Sequence, residues 1–219
     1  MVRFAIVDCG IGNLRSVQKI FERLETEAII TDEPNEVAAC DGIVLPGVGA
    51  FGDAMAKLED DGTAAVIRQL SGKFGKPLLG ICLGMQLLGR TSTESPGVKG
   101  LDLVPGETVS IDIQNKRDWM ERKLTLPHIG WNSVSATNRS QLFDGLKNET
   151  DFYFVHGLQF KLNDPTWIGA TVSYGSEIVC AIDHGNICAT QFHPEKSQWQ
   201  GQRLIKNFIS RTVQTNLEN

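Results

Sequence analysis

Residues 77–88 read Pro-Leu-Leu-Gly-Ile-Cys-Leu-Gly-Met-Gln-Leu-Leu, an apolar run that passes directly into a second apolar segment. The first part, residues 77–81, has the length of a strand that is buried on both faces, and the residues after it predict a helix. Two glycines, Gly80 and Gly84, flank Cys82 at the junction. The stretch therefore predicts a strand of a parallel sheet that turns sharply into a helix at Cys82.

The same strand-to-helix alternation occurs upstream of this stretch. Short apolar runs predict strands at residues 3–8, 28–31 and 42–45, and apolar residues at helical spacing predict helices at 14–24 and 53–70. Continuous apolar strands that alternate with helices favour a parallel sheet covered on both faces. Ligands of such sheets bind at the carboxyl ends of the strands, which is where Cys82 lies.

The second half of the chain has a different pattern. Strands are predicted near residues 108–113, 123–128, 152–156, 167–173, 177–182 and 187–192, with a last helix at 200–213. Turn residues at 174–176 and 183–186 predict hairpins, which makes this portion antiparallel, and residues 114–122 predict a surface loop. We expect one α/β domain over residues 1–219, with a mostly parallel central sheet, flanking helices and an antiparallel C-terminal portion.

Composition limits the classes of function. The chain has 219 residues, 41% of them hydrophobic, and a net charge of -5, which does not favour nucleic-acid binding. Its N-terminal apolar run is too short for a signal peptide, and no stretch has the length of a transmembrane helix. The odd number of scattered cysteines, five in all, indicates reduced thiols. We expect a cytoplasmic protein with no membrane partner.

The segment around Cys82 has the spacing of a nucleophile elbow. Glycines allow the backbone to turn sharply, so that the cysteine projects above the sheet at a helix N-terminus. Unpaired N–H groups and the helix dipole stabilise a thiolate there, and the N–H after the nucleophile can face an oxyanion. The alternative is a small buried cysteine between packing glycines.

A cysteine nucleophile needs a base, and His193-Pro194-Glu195 offers one with an orienting carboxylate. Residues two apart on an extended segment point the same way, and the proline favours that conformation for His193. The alternative is an ordinary surface turn. The elbow and this tripeptide together favour catalysis.

Three motifs in this order resemble class I glutamine amidotransferases: residues 46–49 (Pro-Gly-Val-Gly), residues 80–86 and residues 193–197 (His-Pro-Glu-Lys-Ser). Within that family the chain is most similar to the glutaminase subunits of imidazole glycerol phosphate synthase, an enzyme of histidine biosynthesis. That closer similarity rests on Gly10-Ile11-Gly12-Asn13, Pro46-Gly47-Val48-Gly49-Ala50-Phe51, Pro96-Gly97-Val98-Lys99-Gly100-Leu101, Pro127-His128-Ile129-Gly130-Trp131-Asn132 and Tyr153-Phe154-Val155-His156.

The resemblance implies hydrolysis of L-glutamine to glutamate and ammonia. Cys82 would attack the side-chain amide and form a γ-glutamyl thioester, with His193 as proton carrier and Glu195 as its orienter. The backbone of Gly49 and of Leu83 would bind the oxyanion.

The resemblance also implies how substrate and partner are bound. Gln86 and Glu94 would hold the glutamine. Asn13, Trp131 and Lys196 would face a (β/α)8-barrel cyclase subunit, in a heterodimer that receives the ammonia. No metal and no cofactor is implied.

One departure from the family pattern follows Tyr153-Phe154-Val155-His156. The family has a small hydroxyl residue and then an aromatic one, where this chain has Gly157 and Leu158. This departure motivates one alternative, a paralogous glutaminase that feeds a different synthase, such as a sugar amidotransferase. A separate alternative is a non-catalytic regulatory subunit, against which the intact Cys82, His193 and Glu195 count.

Two other patterns, one of a zinc site and one of a dinucleotide-binding site, are incomplete. Cys180, His184, Cys188 and His193 do not have the spacing of a usual zinc site, so we predict none. The glycines at 10 and 12 follow a strand, but Arg15 stands where a dinucleotide fingerprint needs its third glycine.

Overall fold

The computed structural model describes residues 2–10, 12–114, 116, 117, 121 and 123–218. The strands are β1 Arg3–Val7, β2 Glu27–Thr31, β3 Gly42–Gly47, β4 Leu78–Cys82, β5 Gly106–Ser110, β6 His128–Ala136, β7 Thr150–His156, β8 Leu158–Leu162, β9 Ile168–Ser173, β10 Glu177–His184 and β11 Ile187–Thr190. The α-helices are α1 Leu14–Arg23, α2 Pro34–Ala39, α3 Phe51–Asp60, α4 Thr63–Ile67, α5 Leu83–Leu87 and α6 Gln198–Glu218. A π-helical segment, Arg68–Lys73, follows α4, and single 3-10 turns lie at Gln141–Phe143, Pro165–Trp167 and Pro194–Lys196.

These strands form one mixed sheet in the order β2-β1-β3-β4-β11-β10-β9-β6-β7, with β8 pairing to β10 and β5 pairing to β8. The pairs from β2 through β1, β3 and β4 to β11 are parallel. The remaining pairs are antiparallel. The predicted α/β class, with its parallel centre and antiparallel C-terminal portion, is confirmed.

The core lies on both faces of the sheet, because successive residues of a strand point to opposite sides. In β1, Phe4 packs with Phe21 of α1 and Phe208 of α6 on one face. The next residue, Ala5, belongs to the cluster on the other face, which includes Met55 of α3. Burial on both faces explains why the parallel strands are continuously apolar.

The single helix predicted over residues 53–70 is wrong. Helix α3 ends at Asp60, and Gly62 takes a left-handed φ of +81° before α4 begins at Thr63. The Asp61 carboxylate accepts a hydrogen bond of 2.9 Å from the Thr63 N–H, which stabilises the new helix start. The apolar spacing continues across this break, so periodicity alone did not detect it.

The strand predicted at residues 123–128 is also wrong. Strand β6 begins at His128, directly after Pro127, which has no N–H to donate to a neighbouring strand. The predicted surface loop at 114–122 lies partly outside the described residues. Strand β8 and helix α2 were not predicted, and the last helix extends beyond the predicted 200–213.

The hairpins predicted at residues 174–176 and 183–186 are confirmed. The first joins β9 to β10, and the second joins β10 to β11. In the described part of the chain, no helix is both long and apolar enough to cross a membrane.

Candidate active site

Cys82 is the last residue of β4, and α5 begins at the next residue. Its backbone has φ of 54° and ψ of −108°, a strained conformation for a residue with a Cβ atom. A Cβ on Gly80 would lie 2.9 Å from the backbone of Gly84, and one on Gly84 would lie 1.7 Å from the Leu45 carbonyl oxygen. Both glycines are therefore required by the close approach of strand and helix, as the elbow pattern predicts.

His193 and Glu195 form a buried pair. The distance from His193 Nδ1 to Glu195 Oε1 is 2.7 Å, and their side chains are 2% and 3% exposed. The backbone N–H of His193 donates a hydrogen bond of 2.9 Å to the Tyr153 carbonyl. The Ser197 hydroxyl donates to the His193 carbonyl at 2.6 Å. These bonds fix the imidazole between β7 and the start of α6.

The Glu195 carboxylate determines which ring nitrogen of His193 carries a proton. A carboxylate accepts hydrogen bonds, so Nδ1 carries a proton and Nε2 is the atom that can take one up. Nε2 is buried and makes no hydrogen bond of good geometry with the described residues. Burial lowers the pKa of His193, but the neighbouring Cys82 side chain, and then Glu195, raise it by more, so the pKa is raised overall. The imidazole is therefore suited to hold a proton beside the sulfur.

A buried glutamine, Gln191, which the sequence did not single out, contacts the sulfur. Its Nε2 lies 3.7 Å from Cys82 Sγ. Its Oε1 accepts a hydrogen bond of 3.1 Å from Gln86 Nε2. The signal for it was available, because Gln191 lies two residues before His193 and shares its side of an extended segment.

A cavity of about 430 Å³ opens onto Cys82. Its lining includes four residues that the resemblance assigned to the oxyanion or to glutamine, namely Gly49, Leu83, Gln86 and Glu94. It also includes Val155, His156, Gly157 and Leu158 from the end of β7 and the start of β8. The volume is in the range of small-molecule sites.

The conformation of two cavity-lining residues, Gly49 and Glu94, is determined by their local surroundings. Gly49 has φ of +106°, a conformation that favours glycine. Glu94 Oε2 accepts a hydrogen bond of 2.7 Å from the Phe51 N–H at the start of α3. A carboxylate is stabilised at a helix N-terminus, so this bond fixes the Glu94 side chain at the cavity wall.

The three residues that the resemblance assigned to the partner interface lie around the His193–Glu195 pair. Trp131 is 47% exposed and meets the Tyr153 ring edge-on at 6.0 Å, while Lys196 Nζ lies 5.7 Å from the centre of that ring. Asn13 lines a small cavity of about 10 Å³ together with His193 and Glu195. Tyr153, which joins Trp131 to Lys196, was not among the predicted site residues.

Cys180, Cys188 and His184, three of the residues considered for a zinc site, have structural surroundings. Burial raises the pKa of the Cys180 thiol well above its usual value, and also that of the Cys188 thiol, where Asp183 adds to the effect. His184 stacks on Trp167 with ring centres 4.2 Å apart. Among the described residues, no three His, Cys, Asp or Glu side chains are grouped to hold a metal ion.

Comparison with known families agrees with this geometry. The family model "Glutamine amidotransferase class-I" matches residues 5–212. The chain belongs to the class I glutamine amidotransferases.

Several curated relatives share most of the chain's length. It is 46% identical over 204 residues to "Imidazole glycerol phosphate synthase subunit HisH" of Moorella thermoacetica, covering 93% of this chain and 92% of the relative. It is 45% identical to the protein of the same name from Methanothermobacter thermautotrophicus, with 94% and 96% covered. The predicted similarity to the subunits of this synthase is confirmed.

Solved structures share the fold at lower identity. PurLQS from Thermotoga maritima superposes with a TM-score of 0.71 at 17% identity, covering 96% of this chain and 98% of that one. A glutamine amidotransferase from the same organism superposes with a TM-score of 0.61 at 18% identity, covering 98% and 85%.

Proposed function

We propose that this chain is the glutaminase subunit of an imidazole glycerol phosphate synthase and hydrolyses L-glutamine to glutamate and ammonia. Three supports combine: the strained elbow at Cys82, the buried His193–Glu195 pair, and relatives that carry the name of this synthase subunit. The single observation that carries the proposal is a cavity that opens onto Cys82, whose side chain interacts with the imidazole that Glu195 orients.

The first half of the reaction forms a thioester. The proton of the Cys82 thiol is held on His193 Nε2, and the sulfur attacks the amide carbon of glutamine as a thiolate. His193 then passes that proton to the amide nitrogen, the carbon–nitrogen bond breaks, and ammonia leaves. Glu195 keeps Nδ1 protonated and stabilises the imidazolium between these steps. The product on the enzyme is a γ-glutamyl thioester of Cys82.

The second half hydrolyses the thioester. Water attacks the carbonyl carbon and gives a proton to His193 Nε2, and the proton then returns to the departing sulfur. Glutamate leaves and the thiol is restored. In both halves the negative oxygen receives hydrogen bonds from the N–H groups of Leu83 and Gly49, the first of which is at the N-terminus of α5.

Substrate binding uses the walls of the same cavity. Gln86, fixed by Gln191, and Glu94, fixed at the start of α3, are placed to bind the polar groups of glutamine. Only Oε2 of Glu94 accepts the hydrogen bond from the Phe51 N–H, so Oε1 remains for the amino group of the substrate.

The ammonia passes to a (β/α)8-barrel cyclase subunit that binds over Asn13, Trp131 and Lys196. The exposed Trp131 ring supports this face, because large aromatic side chains are enriched in the centres of interfaces. We place the heterodimer in the cytoplasm, in keeping with Cys82, Cys180 and Cys188, which are thiols rather than disulfides.

The test is glutamate release by the purified chain, for wild type and Cys82→Ala, with and without the barrel cyclase partner and the phosphorylated ribulosyl compound to which that partner would join the ammonia. We expect release that depends on the partner and is absent in Cys82→Ala. No release by the wild-type complex would overturn the assignment. Release with a different synthase, but not with this one, would instead support the paralogous glutaminase that Gly157 and Leu158 suggest.

A further inference from the structure

Two buried histidines beside the cavity form a pair that the proposed reaction does not use. His128, the first residue of β6, lies opposite His156, the last residue of β7, in the antiparallel register. Each is 4% exposed, and His128 Nδ1 is 2.9 Å from His156 Nε2. Two imidazoles at this distance share one proton in a hydrogen bond, so their tautomers are coupled.

The neighbouring groups assign every proton in this pair. His156 Nδ1 lies 2.7 Å from the Leu158 carbonyl oxygen, which only accepts, so Nδ1 carries the proton and Nε2 is an acceptor. His128 Nδ1 must then donate to it, which leaves His128 Nε2 as an acceptor. The Asn132 amide nitrogen lies 3.3 Å from that atom. The series of donors therefore runs from Asn132 through both histidines to Leu158.

Both rings are neutral near pH 7. Burial, and then the neighbouring histidine, lower the pKa of His128 to about 4. Burial also lowers the pKa of His156 to about 4, against the opposing effect of its bond to Leu158, with a smaller contribution from His193. His128 further stacks against Phe154 and Tyr174, with ring centres 4.9 and 4.0 Å away. The pair is thus fixed in place by stacking as well as by hydrogen bonds.

The last bond of the series closes a turn that lines the cavity. Gly157 lies between the ends of β7 and β8, and a Cβ there would meet nothing within 4 Å. Gly157 has no side chain of its own to restrain the turn, and glycine adds backbone freedom, although its carbonyl accepts a hydrogen bond of 3.1 Å from the backbone N–H of Ile111. The bond from His156 to Leu158 spans it, while Val155, on its other side, has its carbonyl oxygen 3.9 Å from Cys82 Sγ.

We propose that His128 and His156 are positioning residues that hold the 155–158 wall of the cavity in the conformation that binds glutamine. The proposal rests on the glutaminase function proposed above. Neither ring is assigned a proton transfer in the reaction. Their effect is on the affinity for substrate, through the backbone that His156 restrains.

Matched substitutions separate this role from general stability. Asparagine at position 156 places an amide near the position of Nδ1 and can still donate to the Leu158 carbonyl, whereas glutamine places its amide near the position of Nε2 and cannot. We expect His156→Gln to raise the KM for glutamine about tenfold with kcat changed less than about threefold, and His156→Asn to raise KM about threefold or less. His128→Asn and His128→Gln form the corresponding second pair, since only asparagine keeps the donor to His156.

The experiment measures kcat, KM and the concentration of glutamine that protects Cys82 from iodoacetamide, all in the complex with the cyclase subunit. The proposal is supported if KM and the protecting concentration both rise in His156→Gln and His128→Gln. Both quantities should rise less in His156→Asn and His128→Asn. Three outcomes would overturn the proposal. The substitutions to glutamine and to asparagine could have equal effects, KM could stay unchanged while only the melting temperature falls, or kcat alone could fall. If the position 156 variants do not fold, the position 128 pair decides. A wild-type complex without glutaminase activity would contradict the proposed function instead. In that case the protection of Cys82 by glutamine would still measure glutamine binding at the 155–158 wall.

Discussion

A Cβ atom on Gly84 would lie 1.7 Å from the carbonyl oxygen of Leu45, so α5 and β3 are in contact through backbone alone at this point. This approach brings the start of α5 down against the sheet directly after Cys82. It is the physical reason for the second glycine of the elbow, and it sets where the nucleophile lies relative to the strand that ends at Gly47.

Replacement of Gly84 by alanine is therefore expected to destabilise the fold strongly. The added methyl group cannot be accommodated unless the helix or β3 shifts, and we expect a loss of more than about 3 kcal/mol in the free energy of unfolding. Urea denaturation monitored by circular dichroism measures it.

The matched control is Gly157→Ala. A Cβ at Gly157 has open space within 4 Å, and its φ is outside the left-handed region. We expect unchanged stability or a gain of about 0.5 kcal/mol, because alanine reduces the freedom of the unfolded chain. Similar losses in the two variants would show that the close contact at Gly84 is not the cause.

Glu195→Gln is expected to lower kcat by about 100-fold or more while the fold remains intact. The amide has nearly the same shape, but it removes the charge that stabilises protonated His193 and can donate to Nδ1, which favours the wrong tautomer. Because Glu195 is one of the groups that raise the pKa of His193, that pKa should also fall in the variant, as measured by NMR titration. A variant with wild-type kcat would exclude an orienting role for Glu195.

The His128–His156 pair predicts a loss of stability in acid. Both folded-state pKa values are lowered to about 4, while a histidine in the unfolded chain titrates near 6.5. Between these values the unfolded chain binds more protons, so the free energy of unfolding falls as the pH drops through this window, by on the order of 3 kcal/mol for each histidine. His193 does not contribute there, since its raised pKa leaves it protonated in both states.

Removing one of the two titrating groups checks the origin of this effect. His128→Asn should show a smaller decrease in stability between pH 6.5 and pH 4.5 than the wild type, in urea titrations at each pH. Parallel curves for the two proteins would attribute the acid sensitivity to other groups.

Trp131→Ala is expected to weaken binding to the cyclase subunit. Loss of a central aromatic side chain costs about 2 kcal/mol, or roughly a 30-fold rise in Kd by calorimetry. Phe74→Ala is the control, because Phe74 is 61% exposed and precedes β4, at the opposite end of the strand from Cys82. Equal effects of both substitutions would contradict the assigned face.

The local patterns of the sequence predicted the parallel core and the elbow well. Buried strands such as β1 and β4 are apolar throughout, and the glycines around Cys82 have a steric cause that a short motif records. The His193–Glu195 contact also follows from local geometry, since two residues on an extended segment project to the same side.

Features that depend on distant contacts were not predicted. The π-helical segment after α4 and the start of β6 after Pro127 have no distinctive periodicity. Strand β8 does alternate apolar and polar residues, over only five positions, and that signal was missed. Gln191 and Tyr153 reach the site through partners far away in sequence, Gln86 and Trp131. For Gln191 a local signal existed, because it lies two residues before His193, but that spacing does not reveal the contact with Gln86. The His128–His156 pair depends on the register of two strands.

The central claim is that Cys82 forms a covalent bond to glutamine. The most direct measurement is acid quenching of the active complex during turnover of radiolabelled glutamine, followed by peptide mapping of the labelled protein. We expect label on the peptide that contains Cys82, released by hydroxylamine as expected of a thioester and absent in Cys82→Ala. Label on another residue, or undiminished glutamate release by Cys82→Ala, would contradict it.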